Sequence, residues 1–369
     1  MHQRPPLTPL AEALPSTVPF VGPENQERQR GSAFRARLGA NESGFGPAPS
    51  VIEAMAQAAG DMWKYCDPDN FDLKAALARH LAIPARNIVI GEGIDGLLGL
   101  AVRLYAGPGD VVVTSLGAYP TFNFHVAGFG ARLVTVPYRN DREDLDGLAD
   151  AVKREGARVV YLSNPDNPMG TWWEAADIEA FVAAIPETTL ILLDEAYGET
   201  GPVSAQPSID FSRPNLVRLR TFSKAYGLAG LRCGYAFGDA EVIRGFEKVR
   251  NHYGINKMAQ VAAEAALADQ DYLRWVVARV AAGRERIAGI ARDNGLAPLA
   301  SATNFVTIDC GSDGAFALRV LQGMLSRGVF IRKPIAPVLD RCIRVSVGPE
   351  EELAIFEEEL PKALEDARG

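Results

Sequence analysis

Val159-Val160-Tyr161-Leu162-Ser163-Asn164-Pro165-Asp166-Asn167-Pro168, followed after one helical stretch by Leu190-Ile191-Leu192-Leu193-Asp194-Glu195-Ala196-Tyr197, decides the fold. Each segment opens as a short apolar run without polar alternation, which is how a strand covered on both faces reads. Each then ends abruptly in polar residues. Between them, 174–184 carries apolar residues at helical spacing. The same unit repeats along the chain, with strands expected at 88–90, 111–113, 133–136, 216–219 and 235–237 and helices at 95–106 and 144–155. Strand–helix–strand repetition predicts an α/β fold, a mostly parallel sheet between two helical layers.

Further along, 256–294 reads as one nearly continuous Ala-rich helix leaving this domain. Beyond it, strands at 304–309, 329–332 and 342–347 alternate with helices at about 314–327 and 350–365, a smaller α+β domain. The first 35 or so residues are too polar and Pro-rich for a core of their own and predict an arm lying on the rest or on a partner chain. The expected division is an arm at 1–40 that joins the small domain, a large domain at 41–275 and a small domain at 276–369. A length of 369 residues agrees, since single cores stop growing at roughly 250–300 residues.

Composition excludes several classes. A net charge of −8 argues against nucleic acid or an anionic membrane as the main partner. No run of about 18 uncharged apolar residues is present to span a bilayer, and the opening residues lack the apolar stretch of a signal peptide. Cys66, Cys233, Cys310 and Cys342 are scattered, without a C-x-x-C pair or a neighbouring His set. This reads as reduced thiols of a cytoplasmic protein, with neither a disulfide framework nor a metal site.

Gly91-Glu92-Gly93-Ile94-Asp95-Gly96 matches the dinucleotide fingerprint between a strand and a helix. That reading also needs an acid at the end of the next strand, but 111–113 runs into Thr114 and Ser115, and Asp110 stands at the wrong end. The helix start therefore predicts a bound phosphate without a nicotinamide dinucleotide.

A third polar segment completes the set: Thr221-Phe222-Ser223-Lys224-Ala225-Tyr226-Gly227-Leu228-Ala229-Gly230-Leu231-Arg232. All three segments follow strands, and open α/β sheets bind ligands at strand C-terminal ends. Together they suit an aldehyde cofactor with a pyridine ring and a phosphate. Lys224 is the amine and Asp194 the partner of the ring nitrogen. Asn167 and Tyr197 are donors to the phenolate oxygen, and Arg232, Ser223, Thr221 and the amides of Ile94 and Asp95 hold the phosphate. Lys224 needs a depressed pKa, which burial and Arg232 supply. Taken singly, each residue has a blander reading: a surface lysine, a solvated turn, an exposed strand arginine. Their order and placement favour the joint one.

These segments resemble the fold-type I pyridoxal-phosphate aminotransferases, and within them the histidinol-phosphate aminotransferase group. The resemblance runs from Leu38-Gly39-Ala40-Asn41-Glu42 to Arg344-Val345-Ser346-Val347-Gly348. It implies that Lys224 bonds to pyridoxal 5'-phosphate and shuttles the proton, that Tyr119 stacks on the ring, and that Arg344 binds the acidic group of the substrate. Tyr65 would reach the cofactor phosphate of a neighbouring subunit in a homodimer, and Arg332, Asn41 and Phe20 would lie beside the substrate. The implied reaction moves an amino group between an amino donor and a 2-oxo acid or phosphorylated ketone. Three departures bear on the substrate. Phe20 stands in the arm where the group commonly has tyrosine. Ile94 and Gly96 replace a small residue and a glutamate, and Asn41-Glu42-Ser43-Gly44-Phe45-Gly46-Pro47 differs from the usual Asn-Glu-Asn-Pro-Tyr-Gly-Pro. An aromatic or other amino-acid aminotransferase, or a lyase like threonine-phosphate decarboxylase, stays open. Glu42, Glu195, His80, His125 and His252 read as structural.

Overall fold

The computed structural model describes residues 4–16 and 22–369. Its centre is a seven-stranded sheet of β1 (Ile88–Gly91), β2 (Val111–Ser115), β3 (Arg132–Val136), β4 (Val159–Ser163), β5 (Leu190–Asp194), β6 (Leu216–Thr221) and β7 (Gly234–Gly238). The spatial order is β1-β7-β6-β5-β4-β2-β3. Strands β6, β5, β4, β2 and β3 are mutually parallel, and β7 alone runs against its neighbours. The connections explain this. Helices join β2 to β3 and β4 to β5, and the long segment 195–215 with the turn Val203–Ala205 joins β5 to β6, whereas β6 reaches β7 through a shorter loop holding only the turn Ala229–Leu231, which permits an antiparallel return.

The apolar runs face two ways, as a doubly covered sheet requires. Val159 and Tyr161 pack with Leu97, Leu98 and Val102 of helix Gly93–Tyr105 and with Phe122 of helix Pro120–Gly128. Val160 and Leu162 pack on the opposite side, with Leu148 and Val152 of helix Leu145–Glu155 and Ile178 and Val182 of helix Ala175–Ala184. The expected three-layer α/β fold is observed.

A second core gathers Val276, Val280 and Ile287 with Val306, Ile308, Ile343, Val345, Val320 and Phe356. It lies between the antiparallel strands Phe305–Asp309 and Cys342–Ser346 and the helices Gly314–Ser326 and Glu350–Arg368. The helical stretch expected at 256–294 is two helices, Lys257–Ala268 and Gln270–Asp293, because Asp269 ends the first and caps the second by accepting from the Tyr272 amide at 3.0 Å. The chain at 36–38 enters this second core. Ala36–Arg37 pairs with Val329–Phe330, and the Ser346 amide donates to the Leu38 carbonyl at 2.7 Å. Ahead of it, helix Pro9–Glu12 buries nothing and helix Pro23–Arg30 only Pro23. No helix among the described residues is long and apolar enough to cross a membrane.

Glu195, just past β5, is buried and gripped by two arginines of β6. Arg218 donates to both its carboxylate oxygens, at 2.6 and 3.1 Å, and Arg220 donates at 3.0 Å. Removing one partner of a buried ion pair costs about 3–5 kcal/mol, because the remaining charge is left uncompensated. Glu195→Ala is therefore expected to lower unfolding stability by about that amount, read as a fall in the urea midpoint at unchanged slope.

Candidate active site

The parallel strands β4, β5 and β6 end at one edge, and their C-terminal residues open onto a cavity of about 240 Å³. Ile94, Asp95, Tyr119, Asn167, Asp194, Tyr197, Thr221, Ser223, Lys224 and Arg232 all line it, with Ala40, Glu42, Tyr161 and Ser163. The structure thus brings together the ten residues expected around the cofactor ring and phosphate. Among the described residues no group of three or more His, Cys, Asp or Glu side chains could hold a metal.

The lysine is half-buried and lines the cavity. Its Nζ donates to the Asn41 carbonyl at 3.1 Å and stands 5.7 Å from the centre of the Tyr197 ring. Burial, reinforced by the positive charges of Arg344 and Arg232, pulls its pKa down to about 8, with Glu42 and Asp194 partly opposing. Asp194 is held from two sides, by the Tyr161 hydroxyl at 2.8 Å and the Ala196 amide at 2.9 Å. Burial raises it to about 6, so it is mostly ionised at neutral pH and faces the cavity as an anion. Asn167 accepts from Arg344 at 2.5 Å through its Oδ1, which turns its amide NH2 into the donor available to a ligand. Asn41 donates to the Tyr197 hydroxyl at 3.0 Å, leaving that O–H free to donate elsewhere.

At the opposite end, helix Gly93–Tyr105 starts without a side-chain cap, so its first amides are open. Arg232, in left-handed backbone at φ 56, donates to Ser223 Oγ at 3.4 Å and to the Ala229 carbonyl at 2.9 Å. Thr221 and Ser223 are hydroxyl-bonded at 2.9 Å. Gly93 explains the glycine pattern. It has φ +72, and a Cβ there would stand 2.6 Å from the Arg232 guanidinium. The glycine makes room for an arginine beside an open helix start, a cradle for one phosphate.

Other expected residues lie apart. Arg344 reaches the site through Asn167 and lies over the Phe305 ring. Arg332 pairs with it through the backbone, but its side chain borders a separate cleft with Asn25, Gln26 and Gln29. Tyr65 is 82% exposed, tilted against Tyr253, and does not line the cavity. Phe20 lies outside the described residues.

Two lining residues were missed or misread in sequence. Tyr161, the brace of Asp194, was hidden in an apolar run. Its signal is a lone hydroxyl in a strand buried on both faces, which must find a partner. Glu42, read as structural, lines the cavity.

A family model described as aminotransferase class I and II matches residues 36–360. The chain belongs to that family. The crystal structure of histidinol-phosphate aminotransferase from Sinorhizobium meliloti, in complex with pyridoxal-5'-phosphate, is 57% identical and covers 97% of each chain with a TM-score of 0.95. Histidinol-phosphate aminotransferase of Roseiflexus castenholzii is 38% identical over 362 residues, 95% of this chain and 96% of that protein. Histidinol-phosphate aminotransferase 1 of Nitrosococcus oceani is 37% identical over 348 residues, 94% of this chain and 93% of that protein. The expectation of an aminotransferase acting on small-molecule amino donors and 2-oxo acids holds.

The depressed Lys224 pKa gives a direct test of the aminotransferase site. Half of the amine is neutral at about pH 8, where an unperturbed lysine would need about 10.4. Trapping a neutral aldehyde on the cofactor-free protein with borohydride should follow a pH midpoint near 8. Arg344→Met removes a repelling charge and should move that midpoint upward.

Proposed function

We propose that the chain is a pyridoxal-phosphate-dependent histidinol-phosphate aminotransferase of histidine biosynthesis, working as a cytoplasmic homodimer. The observation that carries this reading is the amine of Lys224 in a cavity lined by Arg232, Ser223 and the uncapped start of helix Gly93–Tyr105, with Arg344 reaching it through Asn167. The donor set fits the cofactor group by group. Arg232, Ser223, Thr221 and the amides of Ile94 and Asp95 take its phosphate, and Asp194 faces its ring nitrogen. The Asn167 NH2 and Tyr197 O–H donate to its ring oxygen, and Tyr119 covers the ring. Bound there, pyridoxal phosphate supplies an electron sink for the substrate carbanion.

The chain's own residues do the rest. Lys224, whose lowered pKa makes the neutral amine accessible, would take the proton from the donor Cα and return it on the other side of the transfer. Asp194 keeps the ring nitrogen protonated by fixed negative charge, and Tyr161 and Ala196 hold it in place. Arg344 binds the anionic group of the donor, with Arg332 adding positive charge behind it. Asn41 fixes both Tyr197 and the resting lysine.

The similarity to histidinol-phosphate aminotransferases favours histidinol phosphate as donor, with a 2-oxo acid as acceptor. The dimer finds support on the surface: Trp63, Tyr65, Phe71 and Tyr253 are all more than half exposed, an aromatic group suited to burial against a second copy. From that position Tyr65 would enter the partner's phosphate cradle.

Lys224→Ala should lose both turnover and the visible absorbance of the covalently held cofactor; a variant that keeps both would sink the assignment. Single-turnover half-reactions with histidinol phosphate, glutamate and aromatic amino acids test the donor, and histidinol phosphate should give the highest rate-to-saturation ratio. An aromatic amino acid that outran it would overturn the substrate reading. Sedimentation should give twice the chain mass, and Tyr65→Phe should weaken cofactor retention without changing that mass.

A further inference from the structure

The start of helix Gly93–Tyr105 carries an acid within the proposed phosphate cradle. Asp95 is the third residue of that helix and lines the cavity together with Arg232 and Ser223. A carboxylate in a first helical turn is favourable on its own, because the open amides there form the positive end of the helix dipole. A phosphate bound to those amides draws on the same positive end, so the two anions compete for it. The acid also acts within the site. Burial raises the Tyr119 hydroxyl above its ordinary pKa, and the Asp95 charge adds to that rise.

A side chain from outside the cavity answers this charge. His125 does not line the cavity, but its Nε2 stands 3.1 Å from Asp95 Oδ1. An ionised carboxylate only accepts, so Nε2 carries the proton and donates. The imidazole has a prepared seat. Gly99, buried in the interior of the same helix as Asp95, faces the ring, and a Cβ there would stand 2.8 Å from both its Cε1 and its Nδ1. Glycine is the poorest helix former after proline, and here it makes room for the ring. His125 belongs to helix Pro120–Gly128, whose N-cap is Tyr119. One hydrogen bond thus joins the helix start beside Arg232 to the helix that begins at Tyr119.

We infer that His125 is a positioning residue for the cofactor: by donating to Asp95 it offsets negative charge at the phosphate-binding helix start and fixes that start against the helix of Tyr119. The inference rests on the phosphate cradle proposed above. A hydrogen bond to a charged group corresponds to a factor of about ten in an equilibrium constant, so its loss should be read directly in cofactor retention.

The test measures the dissociation constant of pyridoxal 5'-phosphate by equilibrium dialysis of the holoenzyme. His125→Phe, which fills the same seat without a donor, should raise the constant about tenfold. His125→Gln, which keeps an N–H donor, should recover most of that loss. In an Asp95→Asn background no charge is left to offset, and adding His125→Phe should then change the constant by no more than about twofold. Unchanged retention in His125→Phe overturns the inference. So does an equal loss with and without the Asp95 carboxylate, which would mean that the ring only packs on Gly99. Arg232→Gln is the control for the cradle. If it holds the cofactor as wild type does, the cradle reading fails and this inference with it; if it loses the cofactor while His125→Phe does not, only the role of His125 falls.

Discussion

Asn41 is the point on which the site depends. One residue in left-handed backbone bonds to Tyr197 beyond β5, to Lys224 in the loop after β6, and to Ser346 and Asn304 of the second core. An isolated lysine amine in a buried pocket would be free to swing, and its proton transfers would lack a fixed origin. Here the amine rests on a carbonyl whose own position is set by hydrogen bonds to two different cores. The loop is tied down a second time at Gly227, whose φ of +72 lets it pass the Gly46 carbonyl, where a Cβ would stand 2.5 Å away. Segment 41–47 therefore acts as a strap that registers the lysine against the small domain.

Charge is distributed around that lysine in a way that costs stability and serves binding. Arg344 is buried and held below its ordinary pKa by that burial, and it lowers Lys224 in turn. Arg232 adds to the same field from the phosphate end. Cations collected around one amine repel one another, so an anion bound beside Arg232 or Arg344 would relieve repulsion already present.

The strands and the cavity-lining residues were legible because each is a local pattern. Apolar runs such as 159–162 and 190–193 mark doubly buried strands, and polar residues at their ends mark the ligand edge. What was hidden depends on contacts between distant segments. Nothing near Asn41 announces that Ser346 and Asn304 will hold it, and nothing near Gly93 announces Arg232. The break at Asp269 was overlooked because Ala-rich helix flanks it on both sides, although Asp is a favoured cap. Arg332 shows the opposite failure. The resemblance placed it beside the substrate, whereas its side chain borders the cleft beside helix Pro23–Arg30.

The second core is joined to the central sheet by charge as well as by the strap. Arg341 donates to both oxygens of Asp141, at 2.9 and 3.0 Å, and to Asp309 at 2.7 Å. Asp141 lies in the turn before Glu143 and, through its carbonyl, accepts from Thr171 at 3.2 Å. Thr171 in turn accepts the amide of Asp166, next to Asn167. One guanidinium that bridges two carboxylates from different segments fixes their orientation as well as their distance. The consequence is that Asn167 and Arg344, which meet in the site from different domains, are held in register by contacts on both sides of the cavity. If Arg344 takes the substrate anion, as proposed, that anion meets an arginine already aimed, and its binding energy is not spent on orienting the guanidinium.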